Sequence, residues 1–443
     1  MRPVVINSNS SPVMRNVDAS TIKEQMDDAH LRTRALINGL SEYQLMGPKL
    51  PIINPLLWEI GHVSYFYEFW VLRQHLGRSP ILANADQLYD SITIAHDERW
   101  DLPLPGLAET LSYIDAVQHE VSTCLRSDHD ETLKYLAQYA VFHHDMHNEA
   151  FTYTRQTLSY PAPDFGTTPT PGPGDKVAGD AFVPGGHFML GAMPGDQFVF
   201  DNEKWAHQIE IRPFRISRTA VSNADYLAFV EAGGYSERNY WDDAGWAWRE
   251  ANHLQHPLYW LPKGQNWQLR WFDRLVDLPL NAALIHVSWY EAQAYCRWAQ
   301  RRLPTEAEWE AAAAAEEDSR GMTLSGIKRE FPWGDCKPTT RHANLDGYAL
   351  GCIDVSACSE GDSAFGCRQM TGNVWEWTED TFKPYPGFTP DMYADYSEPL
   401  FNITKVLRGG CWATRGRMLR NTWRTYYGPE RNDVFAGFRT CAL

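Results

Sequence analysis

The chain has no apolar run long enough to cross a bilayer, no Cys-x-x-Cys pair and no internal repeat. The first absence excludes a helical membrane span, which needs about 20 mostly apolar residues. Residues 1–15 hold two arginines and no apolar segment, so they do not read as a secretion signal, and a cytoplasmic location is expected. In that setting the eight cysteines (124, 296, 336, 352, 358, 367, 411 and 441) read as mostly reduced thiols. Cys352, Cys358 and Cys367 share one loop-like stretch, yet their spacing matches no usual zinc pattern. Basic residues are also few. The 40 Lys and Arg stand against 56 Asp and Glu, a formal charge of −16, which argues against nucleic acid or an anionic membrane as partner.

What the chain has in quantity is aromatic surface. With 44% hydrophobic residues, 18 Trp and 21 Tyr, it is the composition of a folded protein with clefts lined by flat side chains. At 443 residues, two domains are expected. Residues 17–160 read as four helices: Ala19–Leu40 with Ser20 or Thr21 near its cap, Asn54–Leu76, Leu107–Leu125, and Glu131–Ser159. Short first and third connections favour antiparallel neighbours and hence a four-helix bundle. The middle connection, 78–106, is long enough to suggest a functional loop. Residues 161–181 are rich in Pro, Gly and Thr and read as a linker. From 182 to 443 short apolar pieces alternate with Gly, Pro, Asn and Asp, with helical periods only at Asn223–Ala232 and Trp289–Arg301. The fold class is therefore α+β.

Within the fourth helix His143 and His147 stand one turn apart and leave the same face, a common way to offer two nitrogens to one metal. His144 with His147 is the alternative pair. A third histidine, His62, lies in the second helix, where Trp58, His62, Phe66 and Phe69 fall on one inward stripe behind Asn54 as cap. Its nitrogens need a partner if buried, and either a core hydrogen bond or a shared metal would serve. Three neutral imidazoles without a carboxylate suit zinc or ferrous iron and leave coordination positions open.

Several motifs in the second half carry a resemblance. They are 184–191 (PGGHFMLG), 287–292 (VSWYEA), 302–309 (RLPTEAEW), 372–377 (GNVWEW), 408–412 (RGGCW) and 437–439 (GFR). Together they resemble the formylglycine-generating-enzyme fold, a variant of the C-type-lectin fold, over about 260 residues. The copper oxidases of that family carry two cysteines soon after Arg-Gly-Gly; here residues 413–422 have none, so formylglycine formation is not expected. The first half resembles the DinB-like bundle with its three-histidine metal site. The combination resembles the ergothioneine-biosynthetic sulfoxide synthases and their selenoneine-synthase relatives.

That resemblance implies an Fe(II) cofactor held by His62, His143 and His147. It implies oxygen-dependent bonding of a thiol or selenol to the imidazole C2 of hercynine, with Tyr385 as proton or hydrogen-atom donor. Met146, Trp423, Thr425, Tyr426, Tyr427 and Arg431 are the implied substrate-binding residues, and the aromatic faces suit a trimethylammonium group. The partners implied are small molecules: hercynine, the donor and O2; a monomer is plausible. The chain departs from the actinobacterial pattern at the donor. Tyr427 stands where an Asp precedes the family's Pro, and 95–99 (AHDER) replaces an arginine-rich loop. A selenosugar donor is therefore expected ahead of γ-glutamylcysteine or cysteine. A non-catalytic metal-binding scaffold is the reading from a different class.

Overall fold

Asp18 opens the first helix: its carboxylate accepts from the Thr21 amide at 2.7 Å, ahead of the Ser20 or Thr21 cap that the sequence suggests. The computed structural model describes residues 17–126, 130–166, 171–195 and 198–443. Residues 167–170 of the linker and the first sixteen residues lie outside them. Two units divide the chain, Met1–Phe165 with Gly195–Phe198, and Gly166–Pro194 with Val199–Leu443. No described helix is long and apolar enough to cross a membrane.

In the first unit, α1 (Ala19–Ile37) packs on α6 (Glu131–Thr157), and α3 (Leu56–Tyr67) packs on both α5 (Leu107–Cys124) and α6. Two short helices, α2 (Glu42–Met46) and α4 (Ala85–Tyr89), sit in the connections, so 78–106 is partly ordered into a helix and a 3-10 turn at His96–Glu98. α3 continues through a π-helical segment, Glu68–His75. His75 at its end lies 2.7 Å from Asp130, whose other oxygen caps α6. The end of the α3 rod is thereby pinned to the start of α6.

Pro55, not Asn54, occupies the N-cap position of α3. Asn54 instead donates from Nδ2 to Glu59 Oε1 at 3.0 Å and accepts from Arg99 at 2.6 Å. Every residue from Leu56 to Tyr67 is buried, so α3 is buried all round and the expected stripe is one part of it. Gly61 is needed there: a Cβ would fall 2.1 Å from the Tyr89 ring. This glycine lets α4 press directly onto α3.

The second unit is held by short sheets. Strands 424–427, 405–408, 375–381 and 436–437 form one, in that order. In another, 180–183 pairs with 214–217, which pairs with 441–442, so the first and last strands of the unit lie in one sheet. Helices occur at Asn223–Glu231 and Trp289–Trp298, both shorter than the sequence suggests, and also at Asp243–Ala251 and Glu306–Ala314. The last begins inside the 302–309 motif, which was read only for its resemblance. This is the formylglycine-generating-enzyme-like, C-type-lectin-like architecture, and with the helical first unit it gives an α+β protein.

The charges of the motifs pair with one another in the core of this unit. Glu306 receives Arg408 at 2.7 Å and Arg424 at 2.6 Å; Glu310 receives Arg408 and Lys328, each at 2.5 Å. Glu376 receives Arg439 at 2.6 and 2.8 Å and the Trp309 indole at 2.7 Å. Gly409, with φ +98°, passes so close to the Met370 carbonyl that a Cβ would lie 2.5 Å from it, which explains Arg-Gly-Gly at this turn.

Candidate metal centre

The helical period of α6 sends His143 and His144 to different neighbours. His144 Nε2 lies 2.7 Å from Thr33 Oγ1, which also lies 2.7 Å from Asn148 Oδ1, so His144 ties α6 to α1. His143 faces α3, where its ring stacks on Phe66 at 3.9 Å. His147, one turn on, presents Nε2 at 3.2 Å from His143 Nε2. His62 comes from α3, stacked on Trp58 at 4.8 Å. One ring nitrogen from each of His62, His143 and His147 lies within 4.8 Å of the other two, the only such group of potential ligands among the described residues. The pair His144 and His147 is not brought together.

The far side of each ring decides what the near side can do. His62 Nδ1 sits 2.8 Å from the Tyr89 carbonyl. A carbonyl only accepts, so Nδ1 carries the proton and Nε2 of the neutral ring is a lone pair. Glu59 Oε1 lies 3.4 Å from His147 Nδ1. Burial first, and the neighbouring His147 second, hold His62 and His143 well below the usual histidine pKa. His62 and His143 are therefore neutral bases at ordinary pH. Two Nε2 atoms at 3.2 Å can share at most one proton, and His62 adds a third lone pair. A divalent transition metal fits this set of donors: three imidazoles, two buried and one half-buried, beside Trp58 and Phe66, with no carboxylate in the group.

The remaining sequence-derived residues fall in two places. Met146, half-buried, precedes His147 on α6. The others belong to the second unit. Tyr385 is buried in its core, with its hydroxyl donating to Glu306 at 3.2 Å and the Arg424 guanidinium 4.1 Å from its ring centre. Burial raises its pKa well above the usual value. Trp423 is buried edge-to-face against Trp375. Along the strand 424–427, alternation places Tyr426 opposite Thr425 and Tyr427. Tyr426 stacks on Phe382 at 4.1 Å, whereas Tyr427 is half-buried with the Arg431 guanidinium 5.4 Å from its ring centre. Arg431 itself grips Asp433 through two bonds of 2.6 and 2.7 Å.

All eight cysteines are free thiols. Cys367 lies in the apolar core, while Cys352 and Cys358 point to the separate carbonyls of Asn373 and Thr340. The layer behind the histidines was missed from sequence: Glu59, Asn54, Arg99, Tyr89 and Gly61. Only Glu59 left a signal, three residues before His62 and so on the same helical face.

Residues 167–442 match the family described as Sulfatase-modifying factor enzyme 1-like domain. Over 94% of its length the chain is 36% identical to a hercynine oxygenase of Mycolicibacterium thermoresistibile, covering 94% of that protein. It is 34% identical to the hercynine oxygenase of Mycolicibacterium smegmatis, over 95% of this chain and 98% of that one. A formylglycine-generating enzyme of Thermomonospora curvata is 31% identical over 62% of this chain and 96% of its own length. Similarity along nearly the whole of both partners, bundle and second unit together, shows that the chain belongs to the hercynine oxygenase family.

Proposed function

We propose that the protein is an iron(II)- and oxygen-dependent enzyme that joins a chalcogen donor to the imidazole C2 of hercynine. The observation that carries this reading is the convergence of His62, His143 and His147 in a chain similar end to end to hercynine oxygenases. Iron(II) held by these three residues would supply Lewis-acid and redox chemistry toward oxygen and the two substrates. The chain's own residues prepare the site. Tyr89 fixes the proton of His62 on Nδ1, and Trp58 and Phe66 hold two ring planes and exclude water. Tyr385 keeps its proton through burial, which suits the donor role that the family resemblance gives it. Met146, Trp423, Thr425, Tyr426, Tyr427 and Arg431 are proposed as substrate residues, with Thr425, Tyr426 and Tyr427 the strand positions that retain surface for a ligand.

The finer proposal is the donor, a selenosugar. A dipeptide with two carboxylates needs guanidinium groups. Arg431 is already in a two-point pair with Asp433, and Arg99 is bonded to Asn54 and laid over Trp58 at 4.0 Å. A hydroxyl-rich donor needs neither arginine. The relatives favour a second reading at least as well: they are hercynine oxygenases, which fits a thiol donor such as γ-glutamylcysteine or cysteine.

A competition assay on the iron-loaded protein with hercynine, oxygen and equal concentrations of selenosugar, γ-glutamylcysteine and cysteine separates the two. Each lost charge-assisted contact is worth about 1.5–3 kcal/mol, so two such losses should leave γ-glutamylcysteine disfavoured by about a hundredfold or more. Preferential use of γ-glutamylcysteine rejects the selenosugar and leaves the thiol reading. No product from hercynine with any donor rejects the reaction itself.

A further inference from the structure

We propose that Glu59 is a positioning residue of the metal centre: its carboxylate orients His147 and supplies one negative charge toward a divalent cation on three neutral imidazoles. The proposal rests on the reading of His62, His143 and His147 as metal ligands.

Glu59 is only 3% exposed and sits on α3, three residues before His62. Its Oε1 lies 3.4 Å from His147 Nδ1 and accepts from Asn54 at 3.0 Å. Its Oε2 is buried with no hydrogen-bond partner among the described residues. A buried carboxylate left in that state is costly, because its charge and the lone pairs of Oε2 are uncompensated.

The second unit compensates three of its buried carboxylates with cations of its own, and a fourth, Glu291, with the Tyr235 hydroxyl and the Ser288 amide. It sets arginines directly on Glu306, Glu310 and Glu376. Among the described residues no arginine is bonded directly to Glu59. Arg99 donates to Asn54 Oδ1 at 2.6 Å while Asn54 Nδ2 donates to Glu59. The compensating positive charge therefore lies on the other side of His147, where the three imidazoles converge.

A carboxylate behind a metal-bound imidazole fixes the ring and raises its basicity. The arrangement also gives the 78–106 connection a definite task. It supplies the Tyr89 carbonyl to His62 and, through Arg99 and Asn54, steadies the carboxylate behind His147.

The test uses the full-length protein stripped of metal. Co(II) and Fe(II) affinities are measured by chelator competition, with the visible spectrum of the Co(II) form as a readout of ligand geometry. Glu59→Gln keeps the side-chain size and the oxygen that Asn54 bonds, and removes the charge. We expect affinity weaker by about 10–100-fold and an altered Co(II) spectrum, with unchanged far-UV circular dichroism. Glu59→Asp, which keeps the charge, should recover part of the affinity. A residue that merely packs would let Gln bind metal like the parent: affinity within about threefold and an unchanged spectrum overturn the proposal. Should Glu59→Gln fail to fold, Asn54→Ala is read in the same way, and full affinity there is likewise an overturning result. A parent protein that binds no metal, or His62→Ala that binds it as well as the parent, overturns the triad reading instead.

Discussion

The two units bury polar groups in opposite ways. In the second unit Arg408, Arg424 and Arg439 are fully buried, and each is matched by Glu306, Glu310 or Glu376 at hydrogen-bond distance. The charges of that network are paired within the chain, and Arg408 Nε alone of the three guanidinium groups' nitrogens is left without a hydrogen-bond partner among the described residues. In the first unit two buried imidazoles and one half-buried one converge, and a buried carboxylate stands behind one of them with an oxygen unpartnered. On the proposed function, a bound cation is what completes that network. Burial and polarity are common to both, so neither marks a functional site. Whether the polar groups satisfy one another does, because an unmatched buried group persists only where something else is gained by it.

The contrast is broken most forcefully in the second unit. Arg408→Met leaves Glu306 and Glu310 short of a buried counter-charge and should destabilise that unit by about 3–5 kcal/mol, read from the urea midpoint. A loss under about 1 kcal/mol would mean that these pairs do not hold the fold, and the comparison would fail.

Gly61→Ala sharpens it on the other side. The added methyl meets the Tyr89 ring, so α4 must shift and with it the carbonyl that orients His62. We expect about 1–3 kcal/mol of destabilisation together with weakened metal binding, measured by thermal unfolding and chelator competition. Unchanged metal affinity would show that the Tyr89 bond is dispensable.

Tyr385→Phe has the smallest expected effect on stability, about 1 kcal/mol for one hydrogen bond to Glu306. It separates packing from chemistry in the satisfied network. If Tyr385 is the proton donor, hercynine binding is kept while turnover falls or the product changes. An unchanged rate and product distribution moves that role to Tyr426 or Tyr427.

The i,i+4 spacing of His143 and His147, read with helical periodicity, was enough to put two ligands on one face. The residues of the second half indicated only an α+β unit of short pieces, and its particular fold was legible as the resemblance of its motifs to a known family. Helix ends were less legible. Asp18 and Pro55 took cap positions that neighbouring residues could also have filled, since several residue types satisfy a cap.

What the sequence by itself determined, then, was local: which residues share a helix face, and which turns demand glycine. The tertiary structure decided what crosses between elements. It brought His62 to residues some 80 positions away, chose His143 over His144 by turning the latter onto Thr33, and paired Glu306 with two arginines from distant strands. It also set the Tyr89 carbonyl behind His62 through the space left by Gly61. A backbone carbonyl has no side-chain identity, and a close approach is a property of two surfaces. Neither is written at any single position of the chain.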